Sequence, residues 1–228
     1  MPQGPGPAGA GAGRVRGREV RSALACYPAG VGKLRVTYNA PVVLTFTFAA
    51  VAVFLLCQLA PSLQPWFTAW PHLIDARSYV GLVTHILGHA SWEHLIGNFM
   101  LILLIGPILE ERHGSGPLLI MIVLTALVTG LANLALSQHA LVGASGVAFM
   151  MILLASMANM RGGEIPLTFI AIALIYLGGE VVHSFRSDNI SHFGHLVGGA
   201  AGASFGFLAA KPRRAQLANP AKLKLPAA

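Results

Sequence analysis

The stretch HFGHLVGGAAGASFG, residues 192–206, places a glycine at every fourth position of an otherwise largely apolar run. These glycines are Gly194, Gly198, Gly202 and Gly206. Residues four apart share one face of an α-helix, so the glycines form a flat stripe. Such a stripe lets two membrane helices approach each other backbone to backbone. The stretch therefore predicts a close helix–helix contact, with a histidine beside it.

The composition of the whole chain favours a membrane protein. Of its 228 residues, 55% are hydrophobic and only 10% are charged, and the mean hydropathy is +0.67. An ordinary soluble domain is about one quarter charged. A soluble fold of this composition would expose large apolar patches to water, whereas a bilayer removes that cost.

The chain divides into three regions. Residues 1–40 are rich in Gly, Pro, Ala and Arg, and we expect a disordered, basic cytoplasmic region, with an organellar transit peptide as the alternative. Residues 41–210 are expected to form a membrane domain of six transmembrane helices, and residues 211–228 a basic cytoplasmic tail. The apolar runs that predict the helices are 41–60, 93–110, 117–136, 145–160, 166–184 and 192–210.

The distribution of basic residues predicts the orientation. The net charge of +7 arises mainly at the two ends of the chain, which favours cytoplasmic flanks facing anionic lipid headgroups over a nucleic-acid site. With six crossings and a cytoplasmic N-terminus, all of the 15 Lys and Arg residues except Arg77 and Arg186 lie inside. We therefore expect both termini in the cytoplasm, contact with membrane lipid, and no nucleic-acid partner.

The first group of unexpected polar residues is THILGHASWEHLIGN, which contains His85, His89, His94 and Asn98. Placing an ionisable side chain near the membrane interior costs free energy, so such a residue usually has a structural or functional role. His94 and Asn98 are four apart, so they share a helix face, and both can donate hydrogen bonds. The spacing of His85 and His89 would also suit a metal, but there is no HExxH motif, and structural hydrogen bonding is favoured. Cys26 and Cys57 form no pattern either, so no metal or cofactor is expected.

The second group is Gly143-Ala144-Ser145-Gly146, at the start of an apolar run. A serine here could simply cap a helix. The alternative is that the flanking glycines allow close backbone approach while the serine oxygen stays exposed. It is not the nucleophile elbow of α/β-hydrolases, because the second residue after the serine is Val147 and no strand precedes it.

Taken together, these groups contain the parts of nucleophilic acyl transfer. Ser145 would be the nucleophile, His195 the base, and the pair of donors the stabiliser of an oxyanion. No Asp or Glu lies in the core of an apolar run where it could orient the histidine. The pattern therefore predicts a Ser–His dyad rather than a triad.

Between His85 and Gly206 the chain resembles the rhomboid family of intramembrane proteases. The resemblance rests on the spacing of the histidines and asparagine, GASG around Ser145, GHLVGGAAG around His195, and EERHG at 110–114. Four fragments in this order on a six-helix chain are specific. The resemblance implies a six-helix bundle with a water-filled cavity open to the outer face.

The resemblance also implies roles for particular residues. Ser145 and His195 would be catalytic, and His94, Asn98 and the backbone N–H of Ser145 would form the oxyanion hole. Phe149 occupies a position where the family often has an aromatic ring packed on the catalytic histidine. The remaining residues are implied to be structural: His85, His89, Glu110 and Arg112. The Trp-Arg pair common in the family's first outer loop is missing from Tyr79-Val80-Gly81-Leu82.

We therefore expect a serine endopeptidase that cleaves substrate proteins in or near a transmembrane segment. Its place would be a cell membrane, and specifically the inner membrane of a bacterium. The alternatives are a proteolytically inactive rhomboid-like protein that binds membrane clients and a transporter or proton channel with a histidine relay. The first usually lacks the serine or histidine, and the second needs more paired charges than this chain has.

Overall fold

The computed structural model describes Met1, Gly4 and residues 37–157, 165–183 and 192–209. Residues Tyr38–Ala228 form one compact unit, which contains all of the helices of the described residues. The predicted basic tail, and the predicted basic leader except for a few residues, lie outside the described residues. Their boundaries and their disorder remain predictions.

All of the regular secondary structure in the described part of the chain is helical. Its α-helices are α1 (Pro41–Leu59), α2 (Ala76–Thr84), α3 (Trp92–His113), α4 (Ser115–Leu136), α5 (Ser145–Ser156), α6 (Leu167–His183) and α7 (His192–Ala209). A 3-10 helix, Pro61–Phe67, lies between α1 and α2. Within the described ranges there is no strand, and Ala69 pairs with Leu141 only as an isolated bridge. The all-α fold class is confirmed.

Each of the six predicted apolar runs forms a helix, namely α1 and α3 to α7. Among the described residues, α1, α3 and α4 are long and apolar enough to cross a bilayer. Helix α5 has only 12 residues, and residues 146–154 within it are all buried. A short apolar helix of this kind is stable when protein surrounds it on all sides. That all six helices cross the bilayer remains a prediction.

The stretch 61–84, which lies between the first two predicted apolar runs and which we expected to be a loop, is instead partly helical. Pro61 opens the 3-10 helix, where its missing N–H costs no hydrogen bond. Asp75 begins α2, because its carboxylate accepts a hydrogen bond from the backbone N–H of Ser78 at 3.0 Å. The hydroxyl of Ser78 lies 3.1 Å from the backbone N–H of Asp75 and accepts from it, which completes a capping box. These local features stabilise short helices. Such helices contain too few residues to show a recognisable hydrophobic periodicity in the sequence.

Glu110 joins the ends of three helices. Its carboxylate accepts hydrogen bonds from the backbone N–H groups of Val42 at 2.9 Å and Val43 at 3.0 Å. These are amides of the first turn of α1, which have no partner within that helix. The hydroxyl of Ser115, the first residue of α4, donates to the same carboxylate at 2.7 Å. A buried carboxylate near the end of α3 therefore fixes where α1 and α4 begin.

The glycine stripe of α7 lies against α5, as its spacing predicts. A Cβ atom placed on Gly198 would overlap the carbonyl of Gly146, and one on Gly202 would overlap the carbonyl of Met150. A Cβ on Gly206 would come within 2.5 Å of the sulfur of Met157. Helix α5 packs more extensively against α7 than against any other described element. The two helices therefore meet backbone to backbone, and only glycine allows this separation.

This contact predicts a large stability difference between two glycine-to-alanine substitutions. Gly198→Ala forces a methyl group into the Gly146 carbonyl, and overpacking of this kind costs about 1–3 kcal/mol. Gly178→Ala on α6 is the matched control, because nothing lies within 4 Å of its added Cβ. We expect Gly198→Ala to lower the melting temperature in detergent and Gly178→Ala to leave it unchanged or raise it. Equal effects of the two substitutions would contradict the packing described here.

Candidate active site

Ser145 is the first residue of α5 and is partly exposed. The N-cap of this helix is Ala144, and no side chain caps it. The alternative in which the Ser145 hydroxyl serves as the N-cap is therefore not what the structure has. The hydroxyl lies at a helix start, where the backbone N–H groups lack helical partners and the helix dipole favours negative charge.

The loop that leads into Ser145 is fixed by backbone hydrogen bonds to segment 69–85. Ala69 and Leu141 exchange two bonds, at 2.9 and 2.8 Å. The N–H of Gly143 donates to the carbonyl of His85 at 2.9 Å. Gly143 has a φ of +112°, which a residue with a side chain rarely adopts. Segment 69–85 thereby holds the loop two residues before the serine.

His94 and Asn98 approach this loop from α3. The hydroxyl of Ser91 accepts from the backbone N–H of His94 at 3.2 Å, which caps α3 and places His94 in its first turn. A Cβ placed on Gly143 would lie 2.5 Å from Nε2 of His94 and 3.4 Å from Nδ2 of Asn98. Both side-chain nitrogens therefore converge on the backbone beside Ser145.

His195 approaches from α7. Its ring stacks on Phe149, with the centroids 4.5 Å apart and the planes 5° from parallel. Phe149 lies one turn after Ser145 on α5. A Cβ placed on Gly146 would lie 3.3 Å from the carbonyl oxygen of Gly194, so the residues next to Ser145 and His195 are in close approach. The side chain of His192 is outside the described residues.

His85 and His89 are buried and hydrogen-bonded. Nδ1 of His85 lies 3.1 Å from the carbonyl of Gly81, and its Nε2 lies 3.3 Å from the hydroxyl of Thr129. His89 contacts Asn98, with 3.1 Å between its Nε2 and the amide nitrogen. Burial lowers the pKa of both histidines to about 4, so both are neutral at neutral pH. The described residues contain no group of three or more His, Cys, Asp or Glu side chains placed to hold a metal ion.

Glu110 and Arg112 lie at the other end of α3, away from these groups. Glu110 caps α1, as described above, and its bond to Ser115 links it to the segment that follows. Arg112 is exposed, and within the described ranges it forms no ion pair.

Asn133 also belongs to this region, although the sequence motifs did not predict it. Its side-chain amide donates to the carbonyl of Ala69 at 3.2 Å and to the carbonyl of His139 at 3.0 Å. Asn133, on α4, therefore joins Ala69 to the loop before Ser145. A buried asparagine within the apolar run 117–136 was the available signal, because such a residue needs a hydrogen-bond partner.

The structure thus gathers a hydroxyl at a helix start, an imidazole on the adjoining helix and two nitrogen donors on a third helix. These are the types of group that nucleophilic acyl transfer requires. The donors lie against Gly143, two residues before Ser145, and the imidazole stacks on Phe149, four residues after it.

The fold is that of a polytopic, all-helical membrane protein. Residues 76–212, more than half of the chain, match the model of the Rhomboid domain. The chain belongs to the rhomboid family.

Three relatives agree with this assignment. Rhomboid protease GlpG of Photorhabdus laumondii is 29% identical over 165 residues, which cover 69% of this chain and 58% of that protein. Rhomboid-related protein 1 of Caenorhabditis elegans is 30% identical over 135 residues, 53% of this chain and 37% of that protein. Rhomboid protease GlpG of Yersinia enterocolitica is 27% identical over 146 residues, 60% of this chain and 51% of that protein. The chain thus spans between about a third and three fifths of the length of these relatives.

The contact between Gly143 and His94 predicts an interaction between two substitutions. Gly143→Ala should destabilise the fold in two ways, through its positive φ and through collision with the His94 ring. Gly114→Ala is the matched control, since Gly114 also has a positive φ of 88° but its added Cβ would meet only Pro117, at an ordinary contact distance of 3.7 Å.

We expect His94→Ala to restore part of the melting temperature lost in Gly143→Ala and none of that lost in Gly114→Ala. Thermal unfolding of the three single and two double variants measures this. If the changes in melting temperature simply add in both double variants, the His94 ring does not limit the space at Gly143.

Proposed function

We propose that this chain is an intramembrane serine endopeptidase in which Ser145 is the nucleophile and His195 the general base. The observation that carries the proposal is the stacking of His195 on Phe149, one turn from Ser145, across the glycine contact of α5 and α7. Membership of the rhomboid family supports it, as do the relatives named rhomboid proteases.

In the proposed mechanism the Ser145 oxygen attacks the carbonyl carbon of the scissile peptide bond. His195 accepts the hydroxyl proton and then donates it to the leaving amine, and water releases the acyl group in a second, equivalent step. The negative oxygen of each tetrahedral intermediate is stabilised by His94, Asn98 and the backbone N–H of Ser145. Stabilisation of this kind acts on charge that appears only in the transition state.

We further propose that substrates are proteins cleaved in or near a transmembrane segment, with membrane lipid around the enzyme. Six crossings, both termini in the cytoplasm and a site open to the outer face follow from the apolar runs and the charge distribution. The bacterial relatives support an inner-membrane location. No cofactor or metal is required by this chemistry.

The first test is covalent labelling by a fluorophosphonate, a probe of activated serines. We expect the purified protein to be labelled at Ser145, as located by mass spectrometry of its peptides. Ser145→Ala should abolish labelling, because no nucleophile remains at the site, and His195→Ala should reduce it to background. Ser156→Ala, on the same helix, and His192→Ala are the controls and should keep labelling. His192 is the control because only His195 is followed by glycine at the third and seventh positions, as in the family.

Labelling that survives Ser145→Ala would refute the assignment of the nucleophile. A folded wild-type protein that is never labelled would favour an inactive rhomboid-like protein that binds membrane clients.

The second test addresses orientation. Ala140 is exposed in the loop before Ser145, which the proposal places on the outer side. In a chain without Cys26 and Cys57, we expect Ala140→Cys to react with an impermeant maleimide added to intact cells. Reaction only after the cells are permeabilised would show that the membrane topology is inverted.

A further inference from the structure

We propose that His89 is a positioning residue that fixes the side-chain amide of Asn98, so that one of its N–H groups stays available to the oxyanion. The inference rests on the proposed function, because it gives His89 its effect on the reaction through Asn98. It assigns to His89 an effect on the reaction through another side chain.

The tautomer of His89 follows from its surroundings. Nδ1 lies 3.2 Å from the carbonyl oxygen of Leu87, and a carbonyl oxygen can only accept a hydrogen bond. Nδ1 therefore carries the proton. The ring is neutral, since burial lowers the pKa of His89 to about 4. Nε2 is left with a lone pair, and it can only accept.

The orientation of Asn98 follows from this tautomer. Its amide faces Nε2 of His89 at 3.1 Å, and an acceptor there requires the nitrogen end of the amide rather than the oxygen end. One N–H of Asn98 is used by His89. The amide nitrogen also lies on the Gly143 side of α3, so the second N–H remains for an acceptor at the site. A flipped amide would set its oxygen against the His89 lone pair in a buried place, which is strongly unfavourable.

His89 is itself held rigidly enough to have this effect. Its ring makes an edge contact with His94, at 5.1 Å between centroids, and a tilted contact with Phe99, at 5.7 Å. His89 precedes α3 in the chain, whereas Asn98 lies on it. The hydrogen bond therefore ties the segment before the helix to the side chain proposed to stabilise the oxyanion. Without it, the Asn98 amide could rotate about its last side-chain bond.

The experiment uses the full chain in detergent and a fluorophosphonate probe. The maximal labelling rate kinact and the probe concentration for half-maximal rate KI are measured per folded molecule, together with the melting temperature. His89→Leu removes the acceptor, whereas His89→Gln supplies an oxygen acceptor at about the reach of Nε2. Asn98→Ala should lower kinact by roughly 10²-fold with KI little changed, as for one lost oxyanion donor. His89→Leu should lower kinact by roughly 10-fold or more, and His89→Gln should restore most of the loss.

The double variant with His89→Leu and Asn98→Ala separates positioning from general structural damage. If His89 acts through Asn98, the double variant should label no more slowly than Asn98→Ala alone. Glu110→Ala is the control, because it removes the cap of α1 at the other end of α3. It should lower the melting temperature while kinact per folded molecule stays at the wild-type value.

The outcomes distinguish this inference from the proposed function. Absence of labelling at Ser145 in the wild type would overturn both. Labelling at Ser145 that is slowed in Asn98→Ala but unchanged in His89→Leu would overturn the role of His89 alone. His89→Leu could also lower kinact by the same factor in the wild type and in Asn98→Ala. That result would overturn the role of His89 as well, since its effect would then not depend on Asn98. Should His89→Leu not fold, His89→Gln decides: near-wild-type kinact supports the inference, and a loss as large as that of Asn98→Ala overturns it.

Discussion

The backbone contact between Gly146 and Gly198 is the constraint on which the rest of the site depends. The carbonyl of Gly146 occupies the space that a side chain on Gly198 would fill. Because α5 and α7 touch at this distance, the residue after Ser145 and the residue before His195 come together, and His195 can stack on Phe149. A wider separation of the helices would move the imidazole away from the start of α5. Helix packing of this type depends on shape and leaves little room for adjustment.

A second set of contacts fixes the side of the site that faces α3. The loop before Ser145 is bonded to Ala69 and to His85, and Asn133 bridges the same two parts of the chain from α4. These bonds join backbone groups that lie outside regular helices, and such groups are costly if buried without partners. Satisfying them also fixes Gly143, against which His94 and Asn98 lie. The same hydrogen bonds that make the loop stable therefore set the geometry of the donors.

The sequence predicted those features that have a local signal. Glycines at every fourth residue predicted the α7 contact, and polar residues within apolar runs indicated the candidate site, because each signal lies within one helix. The short helices within 61–84 were not predicted. Helix α2 begins at a capping box formed by two side chains, those of Asp75 and Ser78, and this leaves no periodic pattern of apolar residues. The role of Glu110 could not be read from its neighbours either. Its partners, Val42 and Val43, are far away in sequence, and only the fold brings a helix start to its carboxylate.

The structure also shows how a largely uncharged interior accommodates its polar groups. The Glu110 carboxylate is balanced by amides at the start of α1, where the helix dipole favours negative charge, and by a hydroxyl. His85 and His89 avoid charge altogether, because burial keeps them neutral. In the part of the chain that the structure describes, the one ion pair joins Arg77 and Asp75 at the surface. In the described part of this membrane domain, the buried polar groups are therefore held by hydrogen bonds rather than by ion pairs. Buried hydrogen bonds of this kind are little affected by salt. The backbone contact between α5 and α7 is instead sensitive to a single added methyl group, because only glycine allows that separation.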